Sequence, residues 1–226
     1  MTEPRHTRPP QRWELVLYST VRGLLVTFAR VWLRASVTDA SKVPTEGAFI
    51  VAPVHRSNLD FMLVLLTTRR RIRFLGKDSL FVGFWDHLFR ALGGIPVARG
   101  TADREALKTC IEVLEAGEPL VIFPEGTRQE GPVVGELFDG AAFVQSRTGV
   151  PIVPIGIGGS QAAMPRGARM VRPRRVCLIV GEPMRAPTIE GARARRHAIR
   201  ETTAALRTVI QELFDRAQAQ AGTPNR

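Results

Sequence analysis

From residue 48 onward the chain alternates between short apolar runs and longer segments whose apolar positions recur every three or four residues. The runs at 48–53, 71–76, 95–98, 120–123, 152–157 and 175–180 are rich in β-formers, are bounded by turn residues, and read as buried strands. Between them, helical patterns follow the polar turn at 55–58 as far as about Thr68, then occupy 80–92, 103–117 and 138–146. Gly93, Gly94 and Gly117 act as stops, and Leu107, Ile111 and Leu114 mark one helical face. A long final helix over 188–219 carries Ile199, Leu206, Ile210 and Leu213 on one side, which predicts packing on a sheet. Strands alternating with helices predict an α/β fold: a single domain with a mixed, mostly parallel central sheet flanked by helices.

The N-terminal part follows a different pattern. Residues 13–35 are apolar but interrupted by Arg22, Arg30 and Arg34, so they fall short of the ~20 apolar residues of a clean membrane span. At a helical period Trp13, Leu17, Val21, Leu24, Phe28 and Val31 share one face, with Arg12, Arg30 and Arg34 opposite. That pattern predicts an amphipathic helix lying at a membrane interface, with packing on the domain core as the alternative. The first dozen residues are polar and proline-rich and lack the pattern of a signal peptide. The expected organisation is a disordered tail at 1–12, an interface helix at 13–38 and a globular catalytic domain at 39–222.

Charge narrows the partners. The 226 residues carry a formal net charge of +11, largely as arginines grouped at 69–73, 166–175 and 193–200. Such a surplus suits a polyanion: nucleic acid, anionic lipid headgroups or a phosphorylated substrate. Aromatic interleaving and recognisable nucleic-acid motifs are missing, so nucleic acid is not expected. Cys110 and Cys177 fall in a predicted helix and a predicted strand far apart, which gives no disulfide framework and fits a reducing cytosol. No Cys or His cluster has metal-ligand spacing, so neither a metal nor a cofactor is expected.

Four segments carry the candidate chemistry. His55-Arg56-Ser57-Asn58-Leu59-Asp60 follows the 48–53 strand directly, at the carboxyl end where α/β ligand sites form. An Asp five residues after a His, one helical turn away, can orient the ring and leave the other nitrogen to take a proton. The pair is the base half of a serine triad with the nucleophilic hydroxyl left to the substrate. Ser57 lacks the Gly-x-Ser-x-Gly setting of a nucleophile and reads as a turn or cap residue. Phe123-Pro124-Glu125-Gly126-Thr127-Arg128 also follows a strand: Pro and Gly shape a turn, Thr127 and backbone amides can donate, and Arg128 offers a planar fork for phosphate oxygens. Gly94-Ile95-Pro96-Val97-Ala98-Arg99 presents a second arginine at a strand end. Val150-Pro151-Ile152-Val153-Pro154-Ile155 has no polar side chain and can contribute only apolar packing or a wall.

In this order and at this spacing the four segments, across residues 48–157, resemble the glycerolipid acyltransferase family that includes lysophosphatidic acid and glycerol-3-phosphate acyltransferases. The resemblance implies an enzyme of phospholipid biosynthesis. It would transfer a fatty acyl group from acyl-CoA or an acyl carrier protein thioester to the hydroxyl of lysophosphatidic acid or a related acceptor, leaving phosphatidic acid in the first case. It implies a peripheral or monotopic place on an anionic surface, at the cytoplasmic face of the cell membrane. By the same resemblance His55 is the general base and Asp60 orients it. Arg99, Glu125, Gly126, Thr127 and Arg128 hold the acceptor's phosphate or shape its site, and Lys77 falls where the family often places a lysine. The sequence departs from the family pattern at Val54, commonly Asn, and at Phe138-Asp139, where a basic residue is often found. Other acceptors, namely glycerol 3-phosphate, another lysophospholipid or a glycolipid, remain alternatives, as does a non-catalytic basic module that binds anionic membranes.

Overall fold

The computed structural model describes residues 10–97, 103–186 and 191–225. Along the chain come helix α1 (Arg12–Trp32), strand β1 (Ser36–Thr38), β2 (Ile50–Pro53), α2 (Asp60–Leu63), β3 (Arg73–Lys77), α3 (Phe84–Ala91), β4 (Gly94–Val97), α4 (Asp103–Glu115), β5 (Leu120–Val121), α5 (Gly140–Thr148), β6 (Ile152–Gly158), α6 (Ser160–Ala163), β7 (Cys177–Val180) and α7 (Ala192–Ala221). Among the described residues these strands form one sheet in the order β1-β7-β6-β2-β5-β3-β4. From β6 to β4 every pairing is parallel; β7 runs antiparallel to β6, and β1 runs parallel to β7. The expected mixed, mostly parallel α/β sheet is therefore present. Parallel pairing places the carboxyl ends of β2 to β6 along one edge, where the 55–60 and 123–128 turns emerge.

β2 and β6 are buried over their whole lengths. Strands covered on both faces have no solvated side to mark with polar residues, hence their continuous apolar runs. Two predicted helices are shorter than expected. The one after the 55–58 turn is a single α turn followed by a 3-10 turn over Val64–Leu66, and α3 is preceded by a separate 3-10 turn at Asp78–Leu80.

On one side of the sheet α7 packs on β6 and β7 and touches α5, which touches α4; α1 contacts both α2 and α3. Contact between α7 and β6 is at backbone distance. A Cβ added at Gly156 would lie 2.2 Å from the Leu213 carbonyl carbon, and one at Gly158 would lie 2.2 Å from that of Ala217. Leu206, Ile210 and Phe214 are the buried residues that α7 contributes to the core.

α1 runs up the molecule from the amino-terminal edge of the sheet to the carboxyl edge. Near its start the Tyr18 hydroxyl accepts from the Ile72 N–H (3.2 Å) and donates to the Arg70 carbonyl (3.4 Å). Burial raises the Tyr18 phenol above its ordinary range, so it remains a donor. Arg22 turns inward and donates to the Leu65 (2.9 Å) and Thr68 (2.7 Å) carbonyls. At the far end the Trp32 indole N–H donates to Val171 O, and Val176 N–H donates to Leu33 O. Trp13, Val16, Leu24, Phe28 and Val31 stay exposed while Tyr18, Ala29 and Leu33 are buried. The helix thus turns polar anchors toward the protein and apolar side chains outward. By length and composition alone it is also apolar enough to cross a membrane, and little of it is buried. Arg22, counted in the sequence as an interruption of the apolar stretch, is turned to the protein, where its Nη2 is held by two carbonyls.

Gly156→Ala should lower the urea midpoint by the equivalent of ~1–3 kcal/mol, because α7 must lift off β6 to admit the methyl group. Gly23→Ala, where a Cβ meets nothing within 4 Å, should not lower it. Cys110 and Cys177 are free and buried, and burial pushes the Cys110 thiol up to about 12. Native protein at pH 8 should therefore give no reaction with a bulky disulfide reagent, and denaturant should expose both thiols.

Candidate active site

β2 ends at Pro53, and Val54 N–H still bonds to Ile155 O at 3.0 Å before the chain turns away from the sheet. His55 then stands at the carboxyl edge. Its backbone N–H donates to Glu125 Oε2 (2.9 Å), and its carbonyl accepts from Gln129 N–H (2.9 Å). Both flanking peptides of the imidazole are thus fastened to the neighbouring turn. β2 and β5 are adjacent, so the two turns leave the sheet about 4.8 Å apart.

Asp60, the first residue of α2, is fully buried. Its Oδ2 lies 3.0 Å from His55 Nδ1 and also accepts the backbone N–H groups of Arg56 (2.6 Å) and Ser57 (2.7 Å). One oxygen therefore closes the turn and fixes the imidazole. With Nδ1–H donating to the carboxylate, Nε2 is left with a lone pair, the arrangement a general base requires. The ring packs against Phe123, with centroids 4.0 Å apart, and meets Phe61 edge-on at 5.5 Å. Phe61 in turn contacts Phe123 and Phe74, so the imidazole sits in an aromatic recess and is 7% exposed. Ser57 Oγ donates to Met164 O (2.9 Å) and accepts from Leu59 N–H, as a turn residue does.

Arg56 is the participant whose role the sequence did not disclose. Its Nη1 donates to both Glu125 oxygens, at 2.8 and 2.9 Å, and to His55 O at 3.1 Å; Nη2 donates to Val133 O at 3.0 Å. The guanidinium also lies 4.9 Å from the centroid of the Phe214 ring. Arg56 and Glu125 are 2% and 1% exposed, and Glu125 Oε1 accepts a further bond from Gly135 N–H (3.1 Å). Protein donors thus surround the Glu125 carboxylate. A basic residue in a polar turn looks solvated in sequence; only the register of β2 beside β5 shows what it faces.

The remaining predicted residues lie along the same edge. Gly126 has φ of +68°, which favours glycine, and a Cβ there would sit 2.8 Å from the exposed Phe138 ring, which would have to swing aside. Thr127 N–H donates to Glu125 O, and its hydroxyl accepts from Gln129 Nε2. Arg128 is half-buried and makes no ion pair among the described residues. Lys77 is the last residue of β3, and Arg99, two residues past the end of β4, lies outside the described residues. Where relatives often carry a basic residue, Phe138 is 68% exposed and Asp139 Oδ1 accepts from the Thr203 hydroxyl (2.7 Å). Among the described residues no group of three or more His, Cys, Asp or Glu could hold a metal ion.

Known proteins resemble this chain in sequence and in fold. The acyltransferase family model matches residues 34–158. A chloroplast 1-acyl-sn-glycerol-3-phosphate acyltransferase, LPAT1 of Arabidopsis thaliana, is 28% identical over 169 residues, covering 69% of this chain and 47% of its own length. The 1-acyl-sn-glycerol-3-phosphate acyltransferase of Bacillus subtilis is 28% identical over 150 residues, 66% of this chain and 72% of that protein. The chain thus spans about half the length of the plant relative and more of the bacterial one. The crystal structure of the 1-acyl-sn-glycerophosphate acyltransferase PlsC from Thermotoga maritima superposes with a TM-score of 0.65 at 24% identity, covering 91% of this chain and 85% of that one, which shows a shared fold.

Removing Arg56 would leave the Glu125 carboxylate buried without its counter-charge. Arg56→Ala should cost roughly 3–5 kcal/mol in chemical denaturation, far more than truncation of an exposed arginine such as Arg216.

Proposed function

The chain belongs to the acyltransferase family, and on that premise we propose that it moves a fatty acyl group from a thioester, acyl-CoA or acyl carrier protein, to the hydroxyl of lysophosphatidic acid or a closely related phosphorylated glycerolipid. The observation that carries the reading is the His55–Asp60 pair, 3.0 Å apart in an aromatic recess beside the 123–128 turn. Nε2 of His55 takes the proton of the acceptor hydroxyl as its oxygen attacks the thioester carbon. The tetrahedral oxyanion then re-forms the carbonyl, the C–S bond breaks, and the imidazolium returns the proton to the departing thiolate. Asp60 holds the ring in place and offsets its transient charge. No acyl-enzyme is needed, which agrees with Ser57 serving the turn. The oxyanion requires N–H donors within hydrogen-bond reach, which the two strand-end turns can supply.

Arg128 supports the phosphorylated acceptor, as a half-buried guanidinium without an ion pair among the described residues. Lys77 ends β3 on the same edge, two strand places from β2, at ~10 Å, and Arg99 is proposed beside it on the resemblance alone. Their proposed share is the outer part of the phosphate site. The net charge of +11 and the outward apolar face of α1 support work on an anionic membrane, at its cytoplasmic face, with α1 lying in the interface. The division into tail (1–12), interface helix (13–38) and acyltransferase domain (39–222) belongs to the same proposal, although β1 at 36–38 already joins the sheet.

Release of free thiol from acyl-CoA in the presence of lysophosphatidic acid tests the reading. His55→Ala should lose ~10²–10⁴-fold in turnover while remaining folded, and Asp60→Asn should lose much of the rate. Arg128→Ala should act mainly by raising the concentration of phosphorylated acceptor needed for half-maximal rate. Undiminished turnover in His55→Ala would remove the assignment.

A further inference from the structure

α7 lies outside the family match at 34–158, and its apolar residues account for its packing on the sheet. A second row on the helix does something else. Arg207, Gln211 and Phe214 follow one another at spacings of four and three, which places them on one face. That face meets residues 132–135, the irregular segment after the 123–128 turn. Gln211 Oε1 accepts the Val134 N–H at 2.7 Å, and its Nε2 donates to Pro132 O (3.1 Å) and to Asp215 Oδ1 (2.8 Å). Arg207 Nε donates to Val134 O (3.2 Å) and Gly135 O (3.0 Å), and Nη2 donates to Val134 O at 3.1 Å. A loop without secondary structure thereby has its backbone groups satisfied by a rigid helix.

The fastened segment is wired to the candidate base. Gly135 N–H donates to Glu125 Oε1, and Val133 O accepts from Arg56 Nη2. Glu125 and Arg56 together hold the His55 N–H and carbonyl, and Phe214 backs the Arg56 guanidinium. We infer that α7 is a positioning element for His55: Arg207 and Gln211 set the 132–135 loop, the loop sets Glu125 and Arg56, and these set the imidazole. The inference rests on the reading of His55 as general base. In this scheme neither Arg207 nor Gln211 touches substrate, and each acts through the loop. A helix needed only for packing would tolerate any polar residue at exposed 207 and half-buried 211.

The test is steady-state kinetics of the full chain with acyl-CoA and lysophosphatidic acid. Arg207→Ala and Gln211→Ala should each lower kcat roughly tenfold with KM for both substrates within about twofold, the signature of a misplaced base and not of a lost substrate contact. Arg207→Lys should restore part of the rate, and Thr208→Ala, on an exposed neighbour, should leave it unchanged. Combined with Glu125→Gln, Arg207→Ala should add little further loss, since both act along one route. Wild-type kcat in Arg207→Ala and Gln211→Ala while His55→Ala is inactive would overturn this inference alone. Additive losses, losses confined to KM, or a rate loss accounted for by the unfolded fraction would overturn it too. Activity retained in His55→Ala would overturn the base assignment and the inference with it.

Discussion

The guanidinium of Arg56 and the carboxylate of Glu125 meet where almost no solvent reaches them, and the candidate site is arranged around that contact. Removing two charges from water costs several kcal/mol for each ion, so such a pair is tolerable only when the remaining donors and acceptors are also engaged. Here all but Arg56 Nε, which is buried without a hydrogen-bond partner, are engaged by particular groups. The Glu125 oxygens accept from Arg56, from the His55 amide and from the Gly135 amide, while Arg56 donates to the carbonyls of His55 and Val133. The pair is therefore a junction of three backbone segments, the turns at 55–56 and 125 and the loop at 133–135, more than a source of net stability. His55 lies in one of them, so any displacement of the junction displaces the imidazole.

The sheet makes this junction possible. A turn after β2 and a turn after β5 are 70 residues apart in sequence when measured from His55 to Glu125, yet adjacent parallel strands deliver both to one edge. The division of labour between carboxylates follows from where each turn starts. Asp60 opens α2 on the same turn as His55, so its oxygen can reach both Nδ1 and the amides of the turn. Glu125 comes from the neighbouring strand and reaches the backbone instead of the ring. Two acids of similar chemistry thus hold one histidine, one by its side chain and the other by its main chain.

What the sequence disclosed follows the range of the interactions involved. Alternation of short apolar runs with helical periodicity is local, and it located β2 to β7 and the helices α2 to α5 between them, but not the single turn of α6. The His-to-Asp spacing and the strand-end position of the 123–128 turn are local as well. β1 escaped notice because Ser-Val-Thr is too short and mixed to carry a pattern, and it is a strand only because β7 lies beside it. Arg22 was counted against a membrane helix, whereas its Nη2 donates to carbonyls more than 40 residues away. Arg56, Arg207 and Gln211 share that character: each looks like an ordinary surface polar residue until the partner strand or loop is in place.

The orientation of α1 bears on how a lipid could reach His55. Tyr18 and Arg22 fasten the helix near the start of β3, while Leu33 and Trp32 fasten its other end to residues 176 and 171, close to the start of β7. Because β7 is antiparallel to β6, its start lies on the edge where β2 ends. The 21 residues of α1 thus extend about 30 Å along the sheet direction and finish at the edge that carries the site. Ser57 ties the His55 turn to Met164 on that same edge. On the proposed reading, a membrane lying on the outward face of Trp13, Val16, Leu24, Phe28 and Val31 would meet the protein along the side of the sheet, with the aromatic recess of Phe61 and Phe123 at one end of the contact. An acyl chain needs an apolar approach and a phosphate needs a polar one. On the proposed reading the edge would supply both, through the phenyl rings beside the imidazole and the arginine-bearing turn one strand farther on.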